Sequence, residues 1–190
     1  MAEIKTLAVI GAGSLGRSIA YAAALAGYRT IVEDILPASL RHAENEVRDH
    51  LAQAIAQGRL TEAKAAAALA CLQYAGSVEE AARQADLVIE AVPDELESKL
   101  EIFTLLDKIS KPDTILACTT ATLNVTEIAS ITYRPGRILG LRFFILADEM
   151  GHLEIVRAAE TDDETIAACA EIGRRMSIEV VVREEDKSGG

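Results

Sequence analysis

Three closely spaced glycines carry the first chemical signal. Gly11-Ala12-Gly13-Ser14-Leu15-Gly16 follows directly on the apolar run Lys5-Thr6-Leu7-Ala8-Val9-Ile10 and opens an alanine-rich stretch, Ser14 to Ala26, that stops at Gly27. The pattern reads as a short buried strand, a tight turn and a helix. In that setting Gly11 suits the turn, Gly13 leaves space for a pyrophosphate beside the backbone, and Gly16 lets the helix approach the strand. The free N–H groups of the first helical turn, around Ser14 and Leu15, then face the phosphates with the positive end of the helix dipole.

A second strand-like run, Thr30-Ile31-Val32, ends in Glu33-Asp34. Asp34 is placed to accept hydrogen bonds from both hydroxyls of an adenosine ribose, or else to cap the helix that follows. Glu33 adds negative charge, and a 2′-phosphate would find only Arg29 as a nearby cation. The pattern therefore points to NAD(H) rather than NADP(H). Farther on, Glu90-Ala91-Val92-Pro93 ends another strand, and its small residues let the backbone pass close to the second half of a dinucleotide. Asp94 and Lys99 either flank that crevice or lie on a solvated helix surface.

The elements that position these groups alternate along the chain. Helical patterns run from Ala38 to Ala56, with Pro37 in the first turn, and from Thr61 to Leu69; this pair, about residues 36–70, is either a helical arm with a docking surface or an ordinary crossover. A strand at Cys71–Tyr74 and a helix capped by Ser77 and Glu80, ending near Gln84, come next. Asp86–Glu90 is a strand, and Asp94 with Glu97 marks a helix to about Ser110. Thr114–Cys118 is a strand, Asn124 with Glu127 caps a short helix ending near Ile131, and Arg137–Leu141 is another strand. After a loop come the strand His152–Val156, a helix from a Thr161–Glu164 cap to Met176, and the strand Ile178–Val182. This is the pattern of an α/β, Rossmann-like open and mostly parallel sheet with helices on both faces. We expect one dinucleotide-binding domain over residues 1–186 and a flexible tail at 187–190.

Composition narrows the function classes. The 190 residues carry a formal charge of −11, 50% are hydrophobic, and Trp is absent. An acidic chain lacks the positive footprint of a nucleic-acid surface. No apolar run reaches the length of a membrane span, so the reading is of a soluble, cytoplasmic protein. Cys71, Cys118 and Cys169 are read as ordinary buried small residues, and with His42, His50 and His152 they form no metal-ligand spacing.

The order of motifs resembles the N-terminal domain of the L-3-hydroxyacyl-CoA dehydrogenase family. The likeness runs through Val9–Gly16, Val32-Glu33-Asp34, Asp86–Asp94, Ile115–Leu123, Gly140–Phe144 and Leu153–Val156, nearly the whole chain. It implies an NAD-dependent oxidoreductase acting on a 3-hydroxyacyl thioester or related hydroxy acid. It also implies that Asp34 holds the ribose, that Asp94 and Lys99 lie near the cofactor, and that the helical arm helps receive CoA; Ala91, Val92 and Thr119 are the further candidates for cofactor contact. Two positions depart from the family. Ala121 stands where a serine contacts substrate, with Thr120 and Thr122 as neighbouring hydroxyls. Arg142 stands where a histidine serves as acid and base; its carboxylate partner is retained as Glu154, and Ile145-Leu146 replaces an Asn-Pro. Arginine polarises an oxygen but does not readily remove a hydroxyl proton. Arg142 and Glu154 are thus the catalytic candidates, as an ion pair, an altered electrostatic element or a solvent-facing arrangement, with His152 as a replacement base. The alternative function is a non-catalytic NAD(H)-binding module or partner subunit. Because the family usually carries a helical second domain, the expected partner is a second copy of the chain or a separate helical subunit.

Overall fold

The computed structural model describes residues 3–146 and 149–185. Its strands are β1 (Thr6–Ile10), β2 (Arg29–Glu33), β3 (Leu72–Ala75), β4 (Leu87–Glu90), β5 (Ile115–Cys118), β6 (Ile138–Leu146), β7 (Glu149–Arg157) and β8 (Glu179–Glu184). They form one sheet in the order β3-β2-β1-β4-β5-β6-β7-β8, parallel throughout except between β6 and β7. The helices are α1 (Ser14–Leu25), α2 (Pro37–Ala56), α3 (Glu62–Cys71), α4 (Val78–Ala82), α5 (Leu96–Ile109), α6 (Val125–Ser130) and α7 (Asp163–Arg175).

Strands β1, β4 and β5 are buried along their whole length, as unbroken apolar runs covered on both faces must be. Successive side chains go to opposite faces. Leu7 and Val9 meet Ile19 and Ala23 of α1 and, across the same face, Ile166, Cys169 and Ile172 of α7. Ala8 and Ile10 meet Ala81 of α4, Phe103 and Leu106 of α5, and Ile128 of α6. Alanine at so many contacts allows these close approaches without aromatic bulk.

The pair α2 and α3 carries the chain from β2 to the parallel strand β3, so it is a crossover. It packs on α1 through Ala24, Val47, Leu51, Ala65 and Ala68. A separate cluster of Ala12, Ala20, Val32 and Ala43 joins the start of α2 to the glycine turn. That second contact bears on the cofactor site.

Three local expectations are corrected. The loop expected after Leu141 is instead the continuation of β6, which pairs antiparallel with β7 and brings Arg142 directly opposite Glu154. Antiparallel pairing satisfies the backbone of both segments, which a loop would leave to water. Asp94 does not cap α5: Glu95 is the N-cap, with no side-chain bond, because the Asp94 carboxylate is engaged elsewhere. Asp162, not Thr161, is the N-cap of α7; the Thr161 hydroxyl accepts from Ala158 N–H at 3.0 Å and donates to the Ile138 carbonyl at 2.6 Å. The caps at Ser77 and Asn124 are found, accepting from Glu80 N–H at 3.3 Å and Glu127 N–H at 2.9 Å. The tail at 187–190 and the side chains of Ile145 and Leu146 lie outside the described residues.

Candidate functional site

Parallel pairing brings the carboxyl ends of β1, β2, β4 and β5 to one edge of the sheet. The strand order reverses between β1 and β4, where a crevice opens in sheets of this kind. Gly11 sits there at φ 105°, and a Cβ on it would lie 2.7 Å from the Ala91 carbonyl oxygen. Gly16 is tighter, since its Cβ would lie 1.9 Å from the Gly11 oxygen. Gly13 is different: a Cβ on it meets nothing within 4 Å, and the residue is the extended N-cap of α1. Two glycines are therefore required by packing inside the chain, and the third faces open space at a helix start with no side-chain cap. Free N–H groups beside an open backbone are what a pyrophosphate needs, so the donor set fits a dinucleotide. Ser14 is exposed at this start, while Leu15 turns partly into the core.

Asp34 ties the turn to the next helix. Its Oδ2 accepts from Ala12 N–H at 3.0 Å and its Oδ1 from Leu36 N–H at 2.9 Å, two residues on. Leu36 is itself the N-cap of α2, so the second bond is a local turn rather than the expected helix cap. Each carboxylate oxygen keeps further acceptor capacity. Glu33 behaves otherwise: it is buried, and burial together with the neighbouring Asp34 charge pushes its carboxyl up to about 7. Arg29 does not reach this edge; it begins β2 at the opposite end and donates to Gln73 and Gln84. The cation beside the turn is Arg17, which the glycine pattern gave no reason to single out. Its Nη1 donates to the Ala12 carbonyl at 2.9 Å, and its Nε lies 2.8 Å from Glu46 Oε2.

Across the crevice, Ala91 N–H donates to the Ile10 carbonyl at 2.8 Å, and Val92 N–H to Glu90 Oε1 at 2.7 Å. Lys99 is fully buried, which excludes its reading as a solvated helix residue. Its Nζ donates to both Glu90 oxygens, at 2.8 and 2.7 Å, and to the Thr119 carbonyl at 2.8 Å. Burial raises the Glu90 carboxyl above its ordinary range against the pull of Lys99. Asp94 stands at the mouth and organises the segment after β5. Its Oδ2 accepts from the Thr120 hydroxyl at 3.0 Å, Ala121 N–H at 3.2 Å and the Thr122 hydroxyl at 3.2 Å. Both hydroxyls flanking Ala121 are thereby committed as donors to Asp94.

Arg142 stands on β6 beyond the end of β5. Its Nε donates to the Thr120 carbonyl at 3.1 Å and its Nη1 to Glu154 Oε2 at 3.3 Å. The other Glu154 oxygen pairs with Arg183 Nε, from β8. Arg142 and Glu154 are thus joined as an ion pair, with the guanidinium still partly exposed. His152 lies opposite Phe144 in the hairpin and stacks on it, with ring centroids 4.1 Å apart and planes at 12°. The oxygens of Glu154 go to two arginines rather than to that imidazole. Cys118 and Cys169 are buried with thiols held well up, Cys169 to about 12, whereas Cys71 is only half-buried. Among the described residues no cluster of histidine, cysteine and carboxylates could hold a metal, and no helix is long and apolar enough to cross a membrane.

Residues 6–186 match the family described as the NAD binding domain of 3-hydroxyacyl-CoA dehydrogenase. The chain belongs to this family. It is 35% identical over 181 residues to a probable 3-hydroxybutyryl-CoA dehydrogenase of Bacillus subtilis, with 94% of this chain and 63% of that protein covered. A 3-hydroxybutyryl-CoA dehydrogenase of Bradyrhizobium diazoefficiens is 33% identical, with 97% and 62% covered. The crystal structure of a 3-hydroxybutyryl-CoA dehydrogenase from Escherichia coli K12 superposes with a TM-score of 0.92 at 31% identity, over 96% of this chain and 39% of that one. The chain thus spans a little under two thirds of the two curated relatives named. As an NAD binding domain of the 3-hydroxyacyl-CoA dehydrogenase family it takes NAD, in keeping with the glycine turn and Asp34. Arg183 is the unforeseen second partner of Glu154. Nothing in the local pattern marks Arg183, because only the β7–β8 pairing brings it to Glu154.

Proposed function

We propose that this chain holds NAD(H) across the crevice between β1 and β4 and is the dinucleotide half of a cytoplasmic oxidoreductase acting on a 3-hydroxyacyl thioester or related hydroxy acid. The observation that carries the cofactor site is Asp34, whose carboxylate braces the glycine turn while keeping acceptor capacity for ribose hydroxyls. Gly11, Gly13, Gly16 and the first N–H groups of α1, at Ser14 and Leu15, hold the pyrophosphate; Ala91, Val92 and Thr119 line the farther half, which Asp94 and Lys99 shape. The bound nicotinamide supplies hydride exchange with a carbinol or carbonyl carbon. Arg142, steadied by Glu154 and Thr120, donates to the oxygen on that carbon and disperses its charge, but it has no atom that accepts the hydroxyl proton.

That last property favours a second reading, an NAD(H)-binding module that works with a partner and does not turn substrate over. The partner would be a second copy or a helical subunit supplying the other wall. One set of measurements separates these readings. NADH and NADPH are titrated against the protein by nicotinamide fluorescence, and NADH oxidation is then followed with acetoacetyl-CoA. We expect saturable NADH binding, NADPH weaker by about tenfold or more, and an Asp34→Ala variant weakened by a similar factor, about 1.4 kcal/mol. Restoring an imidazole by Arg142→His should raise a slow oxidation rate by roughly 100-fold, the scale of general acid–base catalysis. NADH binding without oxidation by either protein would establish the module instead, and no saturation by NADH would remove both readings.

A further inference from the structure

We propose that Arg17 is a positioning residue for the dinucleotide, acting through the carbonyl of the Ala12–Gly13 peptide, and that with Glu46 it latches helix α2 to the cofactor cradle. The inference rests on the NAD(H) site described above and concerns a side chain that neither the glycine motif nor the family assignment singles out.

Ala12 is gripped on both sides. Its N–H donates to Asp34 Oδ2 at 3.0 Å, and its carbonyl accepts from Arg17 Nη1 at 2.9 Å. Ala12 lies between Gly11, which is pressed against Ala91, and Gly13, which faces open space. The Gly11–Ala12 and Ala12–Gly13 peptides are each held by one of these bonds, and their orientations set the direction of the turn on which phosphate oxygens would rest. Glycine turns have wide conformational freedom, and each fixed contact removes some of the entropy that ligand binding would otherwise have to offset.

Arg17 in turn is held by α2. Its Nε lies 2.8 Å from Glu46 Oε2, close enough for an ion pair although the N–H does not aim at the oxygen. The arginine side chain is only 16% exposed and the glutamate 27%, so the pair is sheltered from solvent screening. His42, one turn earlier, approaches the same Glu46 oxygen at 3.3 Å from a more exposed position. Beneath the pair, Ala12 packs with Ala20, Val32 and Ala43, the last from α2. Asp34 completes the fastening through Leu36 N–H at the start of the same helix. Three kinds of contact, a carboxylate bridge, an ion pair and an apolar cluster, thus fix one helix to the cradle around Ala12.

Arg17 turns Nη1 to the Ala12 carbonyl and lays Nε beside Glu46. Its effect passes through the turn, so it should set cofactor affinity and depend on Glu46 for its own placement. The test is a double-mutant cycle on NADH affinity, read by nicotinamide fluorescence, with Arg17→Gln, Glu46→Gln and the double variant, and with Arg17→Lys as the conservative change. Apo-protein melting is recorded alongside to show that each variant is folded. We expect Arg17→Gln to weaken NADH binding by about tenfold and Glu46→Gln by a smaller factor, with the double variant no weaker than Arg17→Gln alone, because contacts within one network are not additive. Arg17→Lys should recover part of the loss.

Affinity for NADH within about twofold of the parent in both single variants, or strictly additive losses, would overturn the proposal. Glu46→Gln keeps the test decisive if Arg17→Gln does not fold, since a folded Glu46→Gln protein with unchanged affinity also overturns it. Failure of the parent protein to bind NADH is a different result, visible in its own titration, and removes the cofactor reading together with this one.

Discussion

Glu33 shows how much a single residue's setting changes its meaning. Next to Asp34 it looks like added negative charge against a 2′-phosphate, yet it is only 4% exposed, and burial and Asp34 push its carboxyl to about 7. Near neutral pH it is partly protonated, so the discrimination proposed above between NAD and NADP rests mainly on Asp34. The same shift has a stability consequence. An ordinary glutamate titrates near 4.5, so between that pH and about 7 the folded chain binds the proton that the unfolded chain has released. Stability contributed by this group is then full at low pH and lost as pH rises through the window. At about 1.4 kcal/mol per unit the loss amounts to a few kcal/mol at most. Urea denaturation of the parent and Glu33→Gln from pH 5 to pH 8 should show the variant gaining relative stability as pH rises. Curves that stay parallel would mean that Glu33 ionises like an exposed carboxylate. Arg142 makes a related point: paired with Glu154, its guanidinium can donate hydrogen bonds but has no atom that accepts a proton.

Among elements, the junction of β4, β5 and α5 rests on one ion pair. Lys99, on the first turns of α5, reaches Glu90 at the end of β4 and the Thr119 carbonyl after β5, with both charged side chains fully buried. Removing one partner leaves the other charge in the core. Lys99→Met should cost about 3–5 kcal/mol in urea unfolding, and the Lys99→Met/Glu90→Gln pair should recover much of that. If the single variant is as stable as the parent, the pair contributes no more than its own packing volume. The hairpin of β6 and β7 is a second element-level device, since its register alone sets Arg142 opposite Glu154. A helix end does similar work on the far side, where Glu185 accepts from the N–H groups of Val125 and Thr126 at the start of α6. That contact fastens residue 185 beside the segment that carries Thr119 to Thr122.

On the scale of the molecule, an acidic chain with formal charge −11 holds an anionic cofactor because the attraction is local. Backbone N–H groups at the start of α1 act over a few ångströms, whereas the distant surface carboxylates are screened beyond roughly 8 Å at physiological ionic strength. Binding to the folded state alone should then stabilise the whole sheet. At a concentration about 100 times its Kd, NADH should add roughly 2.7 kcal/mol, visible as a raised melting temperature, and NADPH at the same concentration, if bound tenfold more weakly, about 1.4 kcal/mol. Equal shifts with both nucleotides would contradict the role given to Asp34.

The sequence by itself determined the alternation of strands and helices, the glycine turn, Asp34 and the caps at Ser77 and Asn124. Those features depend on neighbours within a few residues, through apolar periodicity, backbone freedom and side-chain bonds to nearby N–H groups. Tertiary structure decided the rest, because the partners lie far apart along the chain. Lys99 became a core residue only when β4 and β5 closed around it, Glu33 lost its ordinary ionisation only between β1 and β3, and Arg29 was removed from the site by the direction of β2. The second partner of Glu154 came from β8, and the grip of Arg17 on Ala12 depended on the packing of α2. Electrostatic roles of this kind depend on burial and on which charges come within a few ångströms, and both are set by how the elements pack.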